Sequence, residues 1–97
     1  MNGSGHPTGR CEVRVQPAAL RALAERLPAV VVAAVMHFFD GPLAENPLGV
    51  GKPLAGPFAG CLGAVRGTYR VIYLVDVDSH TVQVLDIDHR STLRRRR

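Results

Sequence analysis

The chain has 97 residues, 46% hydrophobic and 21% charged, which suits one globular domain with a modest core and excludes a disordered chain. Its formal charge is +4, yet removing the four terminal arginines leaves eight basic against eight acidic residues. The basicity therefore belongs to the tail and does not by itself mark the body as a nucleic-acid binder. The longest apolar run, Ala29 to Met36, is shorter than the ~20 residues a membrane span needs, and the N-terminus has no apolar signal core. A soluble, cytoplasmic protein with no membrane partner is the expectation.

In chain order, residues 1–10 are Gly-, Ser-, Thr-, Pro- and His-rich and predict a flexible N-terminal arm. "CEVRVQ" alternates apolar and polar residues and predicts a short half-buried strand ending at Pro17. "PAALRALAERLP" places Leu20, Leu23 and Leu27 on one helical stripe. Pro28 opens a second helix with Val31, Val35 and Phe38 on its inner stripe and a stop at Gly41-Pro42. Residues 41–60 hold too many glycines and prolines for a long regular element. Such a long connection is often functional, and this one carries the single lysine, Lys52.

From Cys61 onward the pattern is β. "CLGAVRG", "TYRVIYLVDV" and "TVQVLDID" predict three strands joined by two hairpins, with "DVDSH" as the second turn. The coarse order is β-α-α-β-β-β, an α+β protein with a small, mainly antiparallel sheet and a helical hairpin packed on one face. Tyr69 and Tyr73 alternate with Val71 and are expected in the core. Cys11 and Cys61 stand in no metal-binding spacing and predict two small, reduced, at least half-buried thiols. His6, His37 and His80 share no ligand spacing either, so no metal and no cofactor is expected.

Chemistry-bearing residues gather in the second half. Arg66 and Arg70 flank the tight "RGTYR" turn. Antiparallel pairing then sets Arg70, at the start of one strand, near His89 and Arg90, at the end of the next. Arginine offers a planar fork of donors suited to phosphate, and histidine exchanges protons near neutral pH. Together they suit phosphodiester cleavage, with an RNA 2′-hydroxyl as nucleophile. A plainer arrangement fits the same residues: Arg66 and Arg70 paired with Asp76, Asp86 or Asp88 on a solvated face, and His89 without a duty. From spacing alone the plainer arrangement is the commoner one.

Over residues 12–93 the sequence resembles the RelE/ParE superfamily of type II toxin–antitoxin toxins, in its RelE-like branch. The resemblance rests on the ordered combination "NPLGVGKPL", "RGTYRVIYLVD" and "DIDHR", with "VRVQPAALRALAERLP" before them. It implies a RelE-like fold over residues 11–93, followed by a basic tail at 94–97. It implies a metal-independent endoribonuclease that cuts mRNA in the ribosomal A site by 2′-hydroxyl attack. It also implies a cognate, RelB-like antitoxin. Arg70 falls on the family's transition-state arginine, Arg90 on a second phosphate-contacting arginine, and Arg66 on a basic residue of the same hairpin. His89 falls where several relatives place a proton carrier.

Two family features are missing. Where some relatives carry two catalytic lysines this chain reads Leu62-Gly63-Ala64, and no tyrosine follows Tyr73. Arg94 to Arg96 stand in the place of the C-terminal tyrosine, and the proton-carrier role falls to His89. Lys52 is either a phosphate contact or a solvated loop lysine. Arg94 and the rest of the tail are expected to attract RNA loosely. A ParE-like inhibitor of DNA gyrase, and an attenuated homologue that mainly binds antitoxin and regulates its operon, are the alternatives.

Overall fold

The computed structural model describes residues 10–89. The arm expected at 1–10 (apart from Arg10), the tail at 94–97, and the site residues Arg90 and Arg94 lie outside the described residues. The first strand, β1 (Glu12–Val15), shows the alternation of its sequence: Glu12 and Arg14 are exposed, Val13 and Val15 half-buried. Pro17 opens α1 (Pro17–Arg21) at the first helical turn, where its missing N–H is not needed. The helix then widens into an i→i+5 turn over Ala22–Arg26, and Leu27 is extended just before Pro28.

The expected leucine stripe is not the buried face of this helix. Leu20 is 52% exposed and Leu23 and Leu27 are only half-buried, whereas Ala19 and Ala22 are completely covered. Helical periodicity located the correct side, but the seam against the sheet takes only small side chains, so the leucines lie along its flanks. Ala22→Leu should therefore overpack the seam and destabilise by about 1–3 kcal/mol. The check is a urea melt with a lower midpoint and an unchanged slope.

The second helix, α2 (Ala29–Phe38), buries Val31, Val35 and Phe38 as its spacing predicts. It does not stop at Gly41-Pro42. A second i→i+5 turn, Phe39–Leu43, carries the chain past the proline. The wider turn takes in a residue that has no N–H to donate, and burial of Phe39, Leu43 and Ala44 favours the extension. The connection that follows holds α3 (Pro47–Val50), the two-residue strand β2 (Lys52–Pro53) and a 3-10 turn at Gly56–Phe58. None is a long regular element, as the Gly/Pro content required.

Three longer strands complete the sheet: β3 (Leu62–Arg66), β4 (Tyr69–Asp76) and β5 (Thr81–His89). The order is β1-β5-β4-β3-β2, antiparallel throughout except for β1 beside β5. Ala64, Tyr69, Val71, Tyr73, Val82, Val84 and Ile87 form one apolar face of the sheet, packed in one cluster with the helical residues named above. The Tyr73 hydroxyl donates to the Pro47 carbonyl, tying β4 to the start of α3. Burial pushes the Tyr73 phenol above the ordinary tyrosine value, with a smaller opposing effect from Arg66. The hydroxyl therefore stays a donor. No described helix is long and apolar enough to cross a membrane.

Candidate functional site

The site begins with a turn. Gly67 takes φ +60, the left-handed region open to glycine, and the two-residue loop Gly67-Thr68 closes a hairpin in which Arg66 pairs with Tyr69. This register sets the faces. Side chains of paired residues share a face, and neighbours along a strand oppose each other. Tyr69 and Val71 belong to the core, so Arg70 between them points to the face without helices. Its partner across β3 is Val65, which is 69% exposed, so that face is open at this end. Farther along, Ile72 pairs with Gly63, and a Cβ added at Gly63 would meet the Leu54 side chain at 3.0 Å. The loop after β2 therefore covers the middle of the open face, while Val65 beside Arg70 stays exposed.

Across β5, Arg70 pairs with Asp88, and an Arg70 Nη2 donates to Asp88 Oδ2 at 2.8 Å. The pair is well covered: the Arg70 side chain is 26% exposed and that of Asp88 7%. Arg70 Nε is buried and has no hydrogen-bond partner among the described residues. Thus the ion pair occupies only part of the guanidinium's donor capacity.

This pairing depends on an irregularity. From Asp76↔Thr81 to Tyr73↔Val84 the strands run in one register, which then shifts between Tyr73 and Ile72 so that Ile72 faces Asp86. In the unshifted register Arg70 would sit opposite Ile87. The bulge also brings Ile87 into the core in place of its acidic neighbours. The apolar spacing Val82, Val84, Leu85, Ile87 carries the matching slip of phase. That slip is a sequence signal consistent with the shifted register, but spacing alone leaves Asp88 as one of three possible partners, with Asp76 and Asp86.

The other expected site residues divide between the faces. Lys52 pairs with Gly63, so it shares the open face with Arg70. Two strand spacings and two residues of rise put the two backbones roughly 12 Å apart. His89 pairs with Tyr69, and Arg66 pairs with Tyr69 from the other side. Both therefore lie at the same end of the sheet as Arg70 but on its helix-covered face. The Arg66 guanidinium lies over the Phe38 ring, 4.7 Å from its centroid, in keeping with that placement. Arg66 and Tyr69, with Val30 and Ala34 of α2, line a mostly apolar groove of about 410 Å³. Tyr69 donates weakly to the Ala34 carbonyl at 3.4 Å. Burial raises its phenol above the ordinary value, while Arg66 acts the other way. Among the described residues no three His, Cys, Asp or Glu side chains gather as a metal site would require.

The open face thus presents a sheltered guanidinium with unused donors, an apolar neighbour and a lysine farther along. Such a surface suits a phosphate backbone lying across the end of the sheet.

No protein-family model matches the chain. It is 45% identical over 84 residues to Toxin RelG of Mycobacterium tuberculosis, spanning 87% of this chain and 95% of that relative. The RelBE2 toxin–antitoxin complex from M. tuberculosis contains a chain 44% identical, with a TM-score of 0.79 and coverage of 84% of this chain and 99% of that one. The intact E. coli RelBE complex matches with a TM-score of 0.65 at 20% identity, over 81% of this chain and 95% of that one, a likeness of fold alone. The architecture is therefore the RelE fold of small bacterial toxins. At this level of identity and coverage the chain belongs to the RelE family of type II toxin–antitoxin toxins.

Proposed function

We propose that the protein is a ribosome-dependent endonuclease that cuts mRNA in the ribosomal A site and so arrests translation, using no metal or other cofactor. In this reading the 2′-hydroxyl of the RNA attacks the adjacent phosphorus, and the bond to the 5′-oxygen of the next nucleotide breaks. The products are a 2′,3′-cyclic phosphate and a 5′-hydroxyl. The observation that carries the reading is Arg70: a guanidinium on the open face, held by the sheet, with donor capacity to spare. Negative charge grows on the phosphate oxygens in the transition state, and fixed donors at that point lower the barrier.

Lys52 supplies a second cation along the same face. Arg66 contacts phosphate at the hairpin end. Arg90, the second phosphate-contacting arginine in this reading, and Arg94, an RNA contact, lie outside the described residues. A RelB-like antitoxin neutralises the toxin in the cytoplasm, by analogy with the toxin–antitoxin complexes that its relatives form.

Expression in a bacterial host with mapping of mRNA 5′ ends tests the reading. The expected result is growth arrest with cuts inside codons on translating ribosomes. Arrest with intact mRNA would refute it, and inhibited supercoiling by the purified protein would then support the gyrase-directed alternative.

His89 is the proton carrier in this reading, acting from the strand end although its register places it on the other face. Its test is the single-turnover rate on programmed ribosomes. His89→Ala is expected to lower that rate by about 10²–10⁴-fold, the usual worth of a general acid or base. A rate equal to wild type would take the role away from His89.

A further inference from the structure

We infer that Asp88 is a positioning residue for Arg70, one that fixes the guanidinium on the open face and, through its own charge, weakens ground-state attraction to RNA phosphate. The kinetic half of this inference rests on the RNA-cleaving reading above; the binding half rests on the geometry alone.

Three observations support it. First, the bulge in β5 makes Asp88 the cross-strand neighbour of Arg70, so the sheet itself imposes the contact. Second, the contact is short and sheltered, at 2.8 Å with the carboxylate 7% exposed. Water competes poorly there, and a long side chain that would otherwise sample many rotamers is confined. Third, Asp88 does not saturate the guanidinium, because Nε is buried without a hydrogen-bond partner among the described residues. An incoming phosphate oxygen would meet the guanidinium through the 26% of the side chain that stays exposed, not through the covered Nε.

The carboxylate has a second effect. It offsets the positive charge of Arg70 as felt by a distant phosphate, while the oriented N–H groups remain for close contact. Interactions that favour the transition state over the bound substrate raise the rate, whereas uniform attraction only tightens binding. Asp88 therefore gives up affinity and gains orientation.

Asp88→Asn separates these effects, because it keeps the shape and a carbonyl that accepts from Arg70 but removes the charge. On ribosomes programmed with an A-site codon, half-saturation is expected at severalfold lower toxin concentration. The maximal single-turnover rate is expected to fall by about tenfold, as a loosened catalytic group would. A short 2′-deoxy oligonucleotide, which cannot be cleaved, should bind the isolated variant more tightly than wild type. That gain should shrink severalfold when Arg70→Gln is added, since the part that comes from unmasking Arg70 is then lost.

A maximal rate that rises in Asp88→Asn would overturn the inference, because the carboxylate would then be an inhibitor of Arg70. So would unchanged rate and affinity in a variant that melts like wild type, or an affinity gain that is as large without Arg70 as with it. If Asp88→Asn does not fold, Asp88→Glu serves, keeping the charge but moving it by one methylene. Its half-saturation should match wild type while its maximal rate falls; two wild-type values would refute the positioning role. If wild-type protein cleaves no mRNA, the RNA-cleaving reading fails. The oligonucleotide affinities of the single and double variants still decide whether Asp88 acts through Arg70.

Discussion

Replacing Arg70 with alanine is expected to lower mRNA cleavage on the ribosome by about 10²–10³-fold, the usual effect of removing one preorganised donor from a transition-state site. The loss should appear mainly in the maximal rate. Lys52 shares the face by register but approaches from two strands away, so on the RNA-cleaving reading it cannot replace the directional fork of Arg70. The variant also leaves the Asp88 carboxylate, almost covered, without its arginine. Some stability is lost with that contact, about 1.5–3 kcal/mol by the usual worth of a hydrogen bond to a charged group. Arg70→Gln separates the two losses, since its amide still donates to Asp88 while the charge is gone. It should melt closer to wild type than Arg70→Ala and remain as poor at cleavage. Recovery of cleavage in Arg70→Gln would show that Arg70 serves the fold and not the reaction.

Tyr73 carries the largest expected effect on stability. It is the largest fully buried side chain in the sheet and lies in its central strand, β4. Tyr73→Ala removes an aromatic ring from a close-packed interior and should cost about 3–5 kcal/mol. A domain of this size has roughly 5–15 kcal/mol in all, so much of its reserve would go. Tyr73→Phe tests the hydroxyl alone. The Pro47 carbonyl would lose its donor, at about 1–2 kcal/mol. The surroundings of that hydroxyl are tight: a Cβ added at Gly51 would stand 2.3 Å from it. Gly51 is thus small because the loop that leads to Lys52 closes directly on Tyr73. Urea denaturation of both variants checks the ranking. Equal stability of Tyr73→Phe and wild type would show that the hydroxyl contributes nothing net.

The order of elements was legible in the sequence because each rests on a local period or a local break. The alternation from Glu12 to Val15, the helical spacing of Val31, Val35 and Phe38, and the glycine of the Arg66–Tyr69 turn need no distant partner to be read. The departures came where distant packing decided. Ala19 and Ala22 displaced the leucines from the seam of α1, and burial of Phe39 and Leu43 carried α2 past its apparent stop.

The site divides in the same way. From hairpin topology the sequence determined that Arg66, Arg70 and His89 stand at one end of the sheet, and motif resemblance singled out Arg70. Which of them share a face was decided only by the tertiary structure. Side chains in a strand alternate with a period of two, so a displacement by one residue exchanges the faces. The shift between Tyr73 and Ile72 is such a displacement. It sets Asp88 against Arg70 on the open side and His89 against Tyr69 on the other. The core imposes that choice, since burying Ile87 is favourable and burying an acidic neighbour in its place is not.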